Sequence, residues 1–192
     1  QLITARAVEA RLMAERDKKS EIDFPPFLLT ALDDPRATSS VSLQKQLFLS
    51  RRSVLKHEIE ALDESITGMN LQVSGLEQAR KSKEEQRLFL KEQLTNMREL
   101  AQEGYVPRNR VLELERLHAQ LNSDLSTDIG NIGRLRRQIS EFNLKRLQRL
   151  EEYQREVHQQ LTDVQREAES LNSRLLAQDF ELANVFVKAP VD

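Results

Sequence analysis

The side chains best equipped for chemistry in this chain are three histidines, His57, His118 and His158, set among 31 carboxylates. A metal site on a helix wants a second ligand one turn away. None of the three has another histidine three or four residues off, so no metal is expected. Cysteine is absent, which removes disulfides and thiolate ligands. The carboxylates are scattered as on a solvated helix face, with no dyad placed for acid–base work. Neither a glycine-rich phosphate loop nor a nucleophile motif is present. The chain reads as a non-enzyme with no catalytic residues and no cofactor.

What the spacing does support is recognition. Arg80, Lys83 and Arg87 fall on helix positions otherwise held by apolar residues. If the chain folds back at residues 105–106, they lie opposite Asn131, Asp128 and Asp124. Facing opposite charges would fix register and antiparallel orientation at some cost in stability. The plainer alternative is that these long side chains snorkel outward and flank the seam. The second recognition element is Gly104-Tyr105-Val106-Pro107-Arg108-Asn109. Gly104 suits a left-handed helix end. Pro107 disfavours helical geometry at Val106 yet fits the start of a following helix. Tyr105 could cap the hairpin's own seam, but exposed Tyr and Arg at such a turn favour partner contact. Leu100, Gly104, Tyr105, Val106, Pro107 and Arg108 are therefore assigned to partner binding.

The elements that must hold these residues are long helices. Charged residues make up 31% and aromatics 5%, with no Trp, a coiled-coil profile. Apolar positions step by three and four at Leu55, Ile59, Leu62, Ile66, Met69, Val73 and Leu76, then Leu90, Leu94 and Met97. After the turn they run Val111, Leu114, Leu121, Leu125, Ile129, Ile132, Leu135, Ile139 and Phe142, then Leu147, Leu150, Val157, Leu161, Val164, Ala168, Leu171 and Leu175. Folding at the turn sets Leu90 against Leu121, Leu94 against Leu117, Met97 against Leu114 and Leu76 against Leu135. The eleven residues from Ile139 to Leu150 suggest a register shift that unwinds the supercoil. So short a connection leaves the two helices antiparallel. Gly68, Gly75, Gly130 and Gly133 lie within the arms, marking bends, close helix contacts or ordinary tolerance.

Residues 1–20 read as an amphipathic helix and 21–40 as a loop containing Pro25 and Pro26, with Ser39 or Ser40 capping the next helix. The ascending helix spans 41–103, the tip 104–107 and the descending helix 108–182. At about 1.5 Å per residue the arms are roughly 95 and 112 Å long. The ascending arm is the shorter, and the N-terminal helix has the length to cover the difference, making the base three-stranded. The alternating, β-branched residues 183–192 read as the start of a strand. The fold class is all-α: a long antiparallel coiled-coil hairpin with a short helix packed at its base, forming a helical domain over 1–182 of a larger protein. The net charge of -2 mixes both signs and leaves no footprint for nucleic acid. No apolar run is long enough to cross a membrane. On these residues alone, a cytoplasmic coiled-coil tether whose tip is only a hinge is the alternative function.

Leu100, Gly104, Tyr105, Val106 and Pro107 between heptad arms, with Val187-Lys188-Ala189-Pro190-Val191-Asp192 after them, resemble the haemolysin D-type membrane fusion proteins. These are periplasmic adaptors of type I secretion systems in Gram-negative bacteria. Ala10-Arg11-Leu12-Met13-Ala14-Glu15-Arg16-Asp17, Ile22-Asp23-Phe24-Pro25 and Gly104 to Arg110 are most similar to the protease and lipase exporter branch. The resemblance implies a hairpin rising from a split lipoyl-like β domain that resumes at 183–192. Its implied partners are a trimeric outer-membrane channel at the tip, an inner-membrane ABC transporter, the exported protein, and further copies of itself in a ring of about six. It implies a periplasmic location, anchored in the inner membrane by a segment outside this chain. The family's tip pattern is an Arg, a Leu four residues later and a Ser seven after that. Here Leu100 matches, whereas Asn96 and Pro107 depart and Arg98 stands two residues from the Arg position.

Overall fold

A computed structural model of the chain describes residues 1–30 and 34–184. It contains α1 (Leu2–Arg16), α2 (Pro26–Thr30), α3 (Pro35–Gln102) and α4 (Arg108–Asn184), with no strand among the described residues. Residues 183 and 184, expected to open a strand, continue α4. The rest of that expectation, 185–192, lies outside the described residues.

Helix α1 stops because Lys18 turns left-handed, at φ 53°. Lys19 N then donates to Ala14 O at 2.9 Å and Lys18 N to Glu15 O at 3.3 Å, the paired closure that satisfies the last carbonyls of a helix. The expected loop over 21–40 is interrupted by α2 and ends early. Helix α3 begins at Pro35, not near residue 41, and neither Ser39 nor Ser40 caps it. Asp34 does: its Oδ1 accepts from Arg36 N at 2.8 Å, and its carbonyl accepts from Ala37 N at 3.0 Å. An acceptor side chain followed by Pro at the first helical position outranks a serine further along.

The helices contribute to two compact units. The first contains residues 1–59 and the described residues from 147 onward. Here α1 lies between α3 and α4. Ala5 and Leu12 pack with Tyr153, Val157, Leu161, Val164 and Ala168 of α4. On the other face Ala7 and Ala10 meet Phe24, Leu28 and Val41. The alanines let the backbones approach, and fully burying residues such as Leu12, Leu28 and Val157 contributes about 1.5–3 kcal/mol each. Thr4 reaches Ser40 and Arg11 reaches Gln44, so α1 runs parallel to α3. Glu9 meets Gln165 at 3.3 Å, and the contacts with α4 descend as α1 ascends.

Polar groups tie the same three helices. Arg11 Nη1 donates to Glu15 Oε1 and Arg11 Nε to Gln44 Oε1 at 2.7 Å. Arg51 Nε lies 3.3 Å from Glu15 Oε2 and its Nη1 is 3.2 Å from Glu156 Oε1. The Arg51 guanidinium also sits 5.4 Å from the centre of the Tyr153 ring. Burial pushes the Tyr153 phenol up, and the nearby Glu15 carboxylate adds to the shift.

The second unit, Glu60–Arg146, is a two-helix seam. Val73, Leu90 and Leu94 are buried on α3, and Val111, Leu125 and Ile132 on α4. Ion pairs of 2.6–2.7 Å cross it, from Asp63–Arg146 and Glu77–Arg136 to Arg98–Glu115. Their rising and falling numbers record the antiparallel run.

Several apolar positions expected on the seam lie outside it. Leu117 and Ile129 are each 55% exposed, and Leu147, Leu150 and Leu175 are exposed too. The phase on α4 is a strict seven, through Val111, His118, Leu125, Ile132, Ile139, Arg146 and Tyr153, all buried or half-buried. It runs on through the segment where a register shift was expected. Arg146 simply occupies a seam position and bonds Asp63 at 2.6 Å. Hydrophobicity alone favoured Leu147, whereas the helical period favours its charged neighbour.

Candidate partner-binding tip

Helix α3 closes at the tip as α1 does at its own end. Tyr105 N donates to Leu100 O at 2.9 Å and Gly104 N to Ala101 O at 3.2 Å. This closure needs a left-handed residue between them, and Gly104 supplies it at φ 83°. Pro107 then precedes α4, and its carbonyl accepts from Arg110 N at 3.0 Å. The connection is thus held by backbone bonds, with side chains left to face outward.

Tyr105 is 77% exposed and Leu100 is 40% exposed. Val106 is half-buried, while Gly104, Pro107 and Arg108 are exposed. Below them, buried Val111 and the Arg98–Glu115 pair at 2.7 Å close the seam. Tyr105 does not lie over that seam. The tip therefore presents an aromatic ring, an aliphatic side chain and the Arg108 cation on a backbone fixed by hydrogen bonds.

The predicted charge layer is met in one of its three pairs. Lys83 Nζ lies 2.7 Å from Asp128 Oδ2, with the Asp128 side chain 11% exposed and that of Lys83 32% exposed. The other two pairings do not form. Arg80 turns to Glu84 on its own helix at 3.4 Å. Asn131 accepts from Arg134 and Asp124 from Gln120, each at 3.0 Å. Arg87 is exposed. Partners one turn away on the same helix are always within reach, and they capture Arg80, Asn131 and Asp124, while Lys83 meets the one partner that is buried in the seam.

His118 is half-buried and bonded to Asn122 at 3.2 Å, again within one helix. No group of three or more side chains able to hold a metal occurs among the described residues. No helix among the described residues is long and apolar enough to cross a membrane. Leu150 lines a cavity of about 290 Å³ in the first unit, with Phe48, Leu55 and Tyr153 as apolar neighbours.

Comparison with known proteins agrees with this geometry. The model of a family described as AprE, long α-helical hairpin, matches residues 1–181. The alkaline protease secretion protein AprE of Pseudomonas aeruginosa is 38% identical over 187 residues, covering 97% of this chain and 43% of that protein. The proteases secretion protein PrtE of Dickeya chrysanthemi is 40% identical over 185 residues, covering 96% of this chain and 41% of that protein. The crystal structure of the soluble domain of LipC, a membrane fusion protein of a type I secretion system, superimposes with a TM-score of 0.92 at 41% identity. The match covers 100% of this chain and 90% of that one. The chain spans less than half the length of the curated relatives it matches.

Proposed function

The chain belongs to the AprE family of long α-helical hairpins, and from that premise we propose that it is the hairpin part of a periplasmic adaptor in type I protein secretion. In this reading the full-length protein is anchored in the inner membrane and links an ABC transporter there to an outer-membrane channel. It does so without chemistry of its own, as a spacer that keeps an exported protein from leaving the conduit. Several copies, about six by analogy, surround that conduit. The names of the relatives, all secretion proteins, support the general assignment.

The observation that carries the docking part is the tip. Tyr105, at 77% exposure, is held outward by backbone bonds on either side of Gly104. An aromatic ring left in water beside Leu100 and Arg108 is the composition of an interface anchor. The polar contacts differ from the family's tip pattern, since Asn96 and Pro107 stand where an Arg and a Ser would be.

The test is the triple substitution of Leu100, Tyr105 and Arg108 by Ala in the full-length protein. Secretion and crosslinking to the outer-membrane channel should both fall, while helical content is unchanged because all three side chains are exposed. Normal secretion by a folded triple variant refutes docking through this tip.

A further inference from the structure

We infer that the cavity where α1 ends, between α3 and α4 of the first unit, binds a small amphipathic anion. Its class is an aromatic ring with a carboxylate at one end and a hydroxyl at the other. The adaptor reading neither requires nor supplies such a site, and the inference does not rest on docking at the tip.

The inner wall carries an unused acceptor. The Glu15 side chain is 1% exposed and lines the cavity. Its Oε1 takes the Arg11 Nη1 bond, whereas its Oε2 accepts no hydrogen bond. Arg51 Nε stands 3.3 Å from that oxygen as a countercharge, yet it too makes no hydrogen bond, so the pair is out of line. A carboxylate is an acceptor with several lone pairs, and leaving a buried acceptor unmet is expensive. A hydroxyl that donates to Oε2 removes that cost. A second carboxylate at this depth would be repelled.

The walls set the body of the ligand. Phe48 and Tyr153 are buried there, Leu55 is half-buried, and Leu150 at the edge is 38% exposed. The cavity holds about 290 Å³. An apolar cavity of about 150 Å³ already accepts benzene, so a substituted ring is within its capacity. Water can meet Oε2 but gains nothing from the four apolar side chains, whereas a ring covers them.

The mouth carries the opposite charge. Lys18, Lys19 and Arg52 line the cavity and are exposed. Arg52 Nη1 donates to Ser20 O at 3.1 Å, which holds the guanidinium beside the end of α1. Lys19 meets Asp23 at 3.4 Å in an exposed pair, a weak arrangement that leaves the ammonium available. Lys18 is the residue with left-handed backbone, at φ 53°. Glycine takes that conformation freely and lysine does not. The chain thus accepts strain to place a cation at this mouth, as ligand sites often do. An anion outside, a ring between and a donor inside match all three zones.

The experiment titrates the full-length protein, purified in detergent, with para-hydroxyphenylacetate in a calorimeter. It should bind one molecule per chain. Phenylacetate, which lacks the hydroxyl, should bind at least about tenfold more weakly because Oε2 stays unmet. The uncharged para-hydroxyphenylacetamide should also lose about tenfold, at the mouth. Leu150→Trp fills the cavity from its edge and should abolish binding with helical content unchanged. Lys18→Gly separates binding from folding: it should raise the melting temperature by relieving the backbone and still weaken binding about tenfold. The tip variant should bind as the parent does, so failure of tip docking leaves this inference standing. No heat from para-hydroxyphenylacetate at millimolar concentration, equal binding of either analogue, or undiminished binding by Leu150→Trp overturns it.

Discussion

Removing the two charges of the Lys83–Asp128 pair one at a time should cost unequal amounts, and the structure says which is worse. The Asp128 side chain is 11% exposed and that of Lys83 is 32% exposed. Lys83→Met leaves a carboxylate in the seam with no cation and little water. The loss should be about 2 kcal/mol, in the range for an unsatisfied buried group. Asp128→Leu instead leaves an ammonium on a four-carbon stem already one-third exposed, and that group can swing outward. The new leucine fills the seam, so the net loss should stay below about 1 kcal/mol. Replacing both residues by Leu should be neutral or stabilising. Urea unfolding followed by far-UV circular dichroism reads the difference. With a slope of about 2 kcal/mol per molar, Lys83→Met lowers the midpoint by about 1 M. Equal midpoints for the two single variants, or a double variant weaker than both, would refute the reasoning.

Two further outcomes follow from groups whose surroundings are equally specific. Gly104→Ala, at φ 83°, forces a side chain into the left-handed region and should cost about 1–2 kcal/mol, read as a lower melting temperature; no change would show that the tip backbone relaxes. The Tyr153 phenol titrates higher in the folded chain than its ordinary value of 10.0 because of burial and Glu15. A raised folded value means its contribution is fully present below pH 10 and lost as pH climbs through the folded value. Melting temperatures above pH 10 should therefore fall faster in the parent chain than in Tyr153→Phe, and parallel curves would contradict that.

What was legible in the residues had local causes. The turn could be read because a helix-ending Gly and a helix-starting Pro act within a few residues, and the same chemistry at Asp34-Pro35 was available but unused. The seam was harder. Ile129 and Leu147 looked right by hydrophobicity, yet Asp128 sits seven residues from half-buried Leu121 and Leu135, and Arg146 sits seven from Ile139 and Tyr153. Burial follows the helical period, and a polar side chain that finds a partner, as Asp128 and Arg146 do, holds such a place. Partner choice was less legible still, since Arg80 and Asn131 each settled on a neighbour in its own helix.

The polar layer bears on the tip through register. An antiparallel seam that repeats every seven residues nearly matches itself after a slip of seven, so apolar packing alone discriminates poorly between alignments. We propose that the Lys83–Asp128 pair removes that degeneracy. Slipped by one heptad, Lys83 would face Leu121 or Leu135 and Asp128 would face Leu90 or Leu76, and the carboxylate left in the seam without its cation costs about 2 kcal/mol. The same slip would draw the turn off Gly104 and onto residues that neither adopt the left-handed conformation nor open a helix. In this proposal the ion pair, midway along the second unit, and the glycine closure at the tip both favour one alignment. On this reasoning the glycine closure alone opposes slippage in a Lys83→Leu/Asp128→Leu hairpin, and any slipped fraction loses the outward placement of Tyr105, which separates the requirement for folding from the requirement for docking.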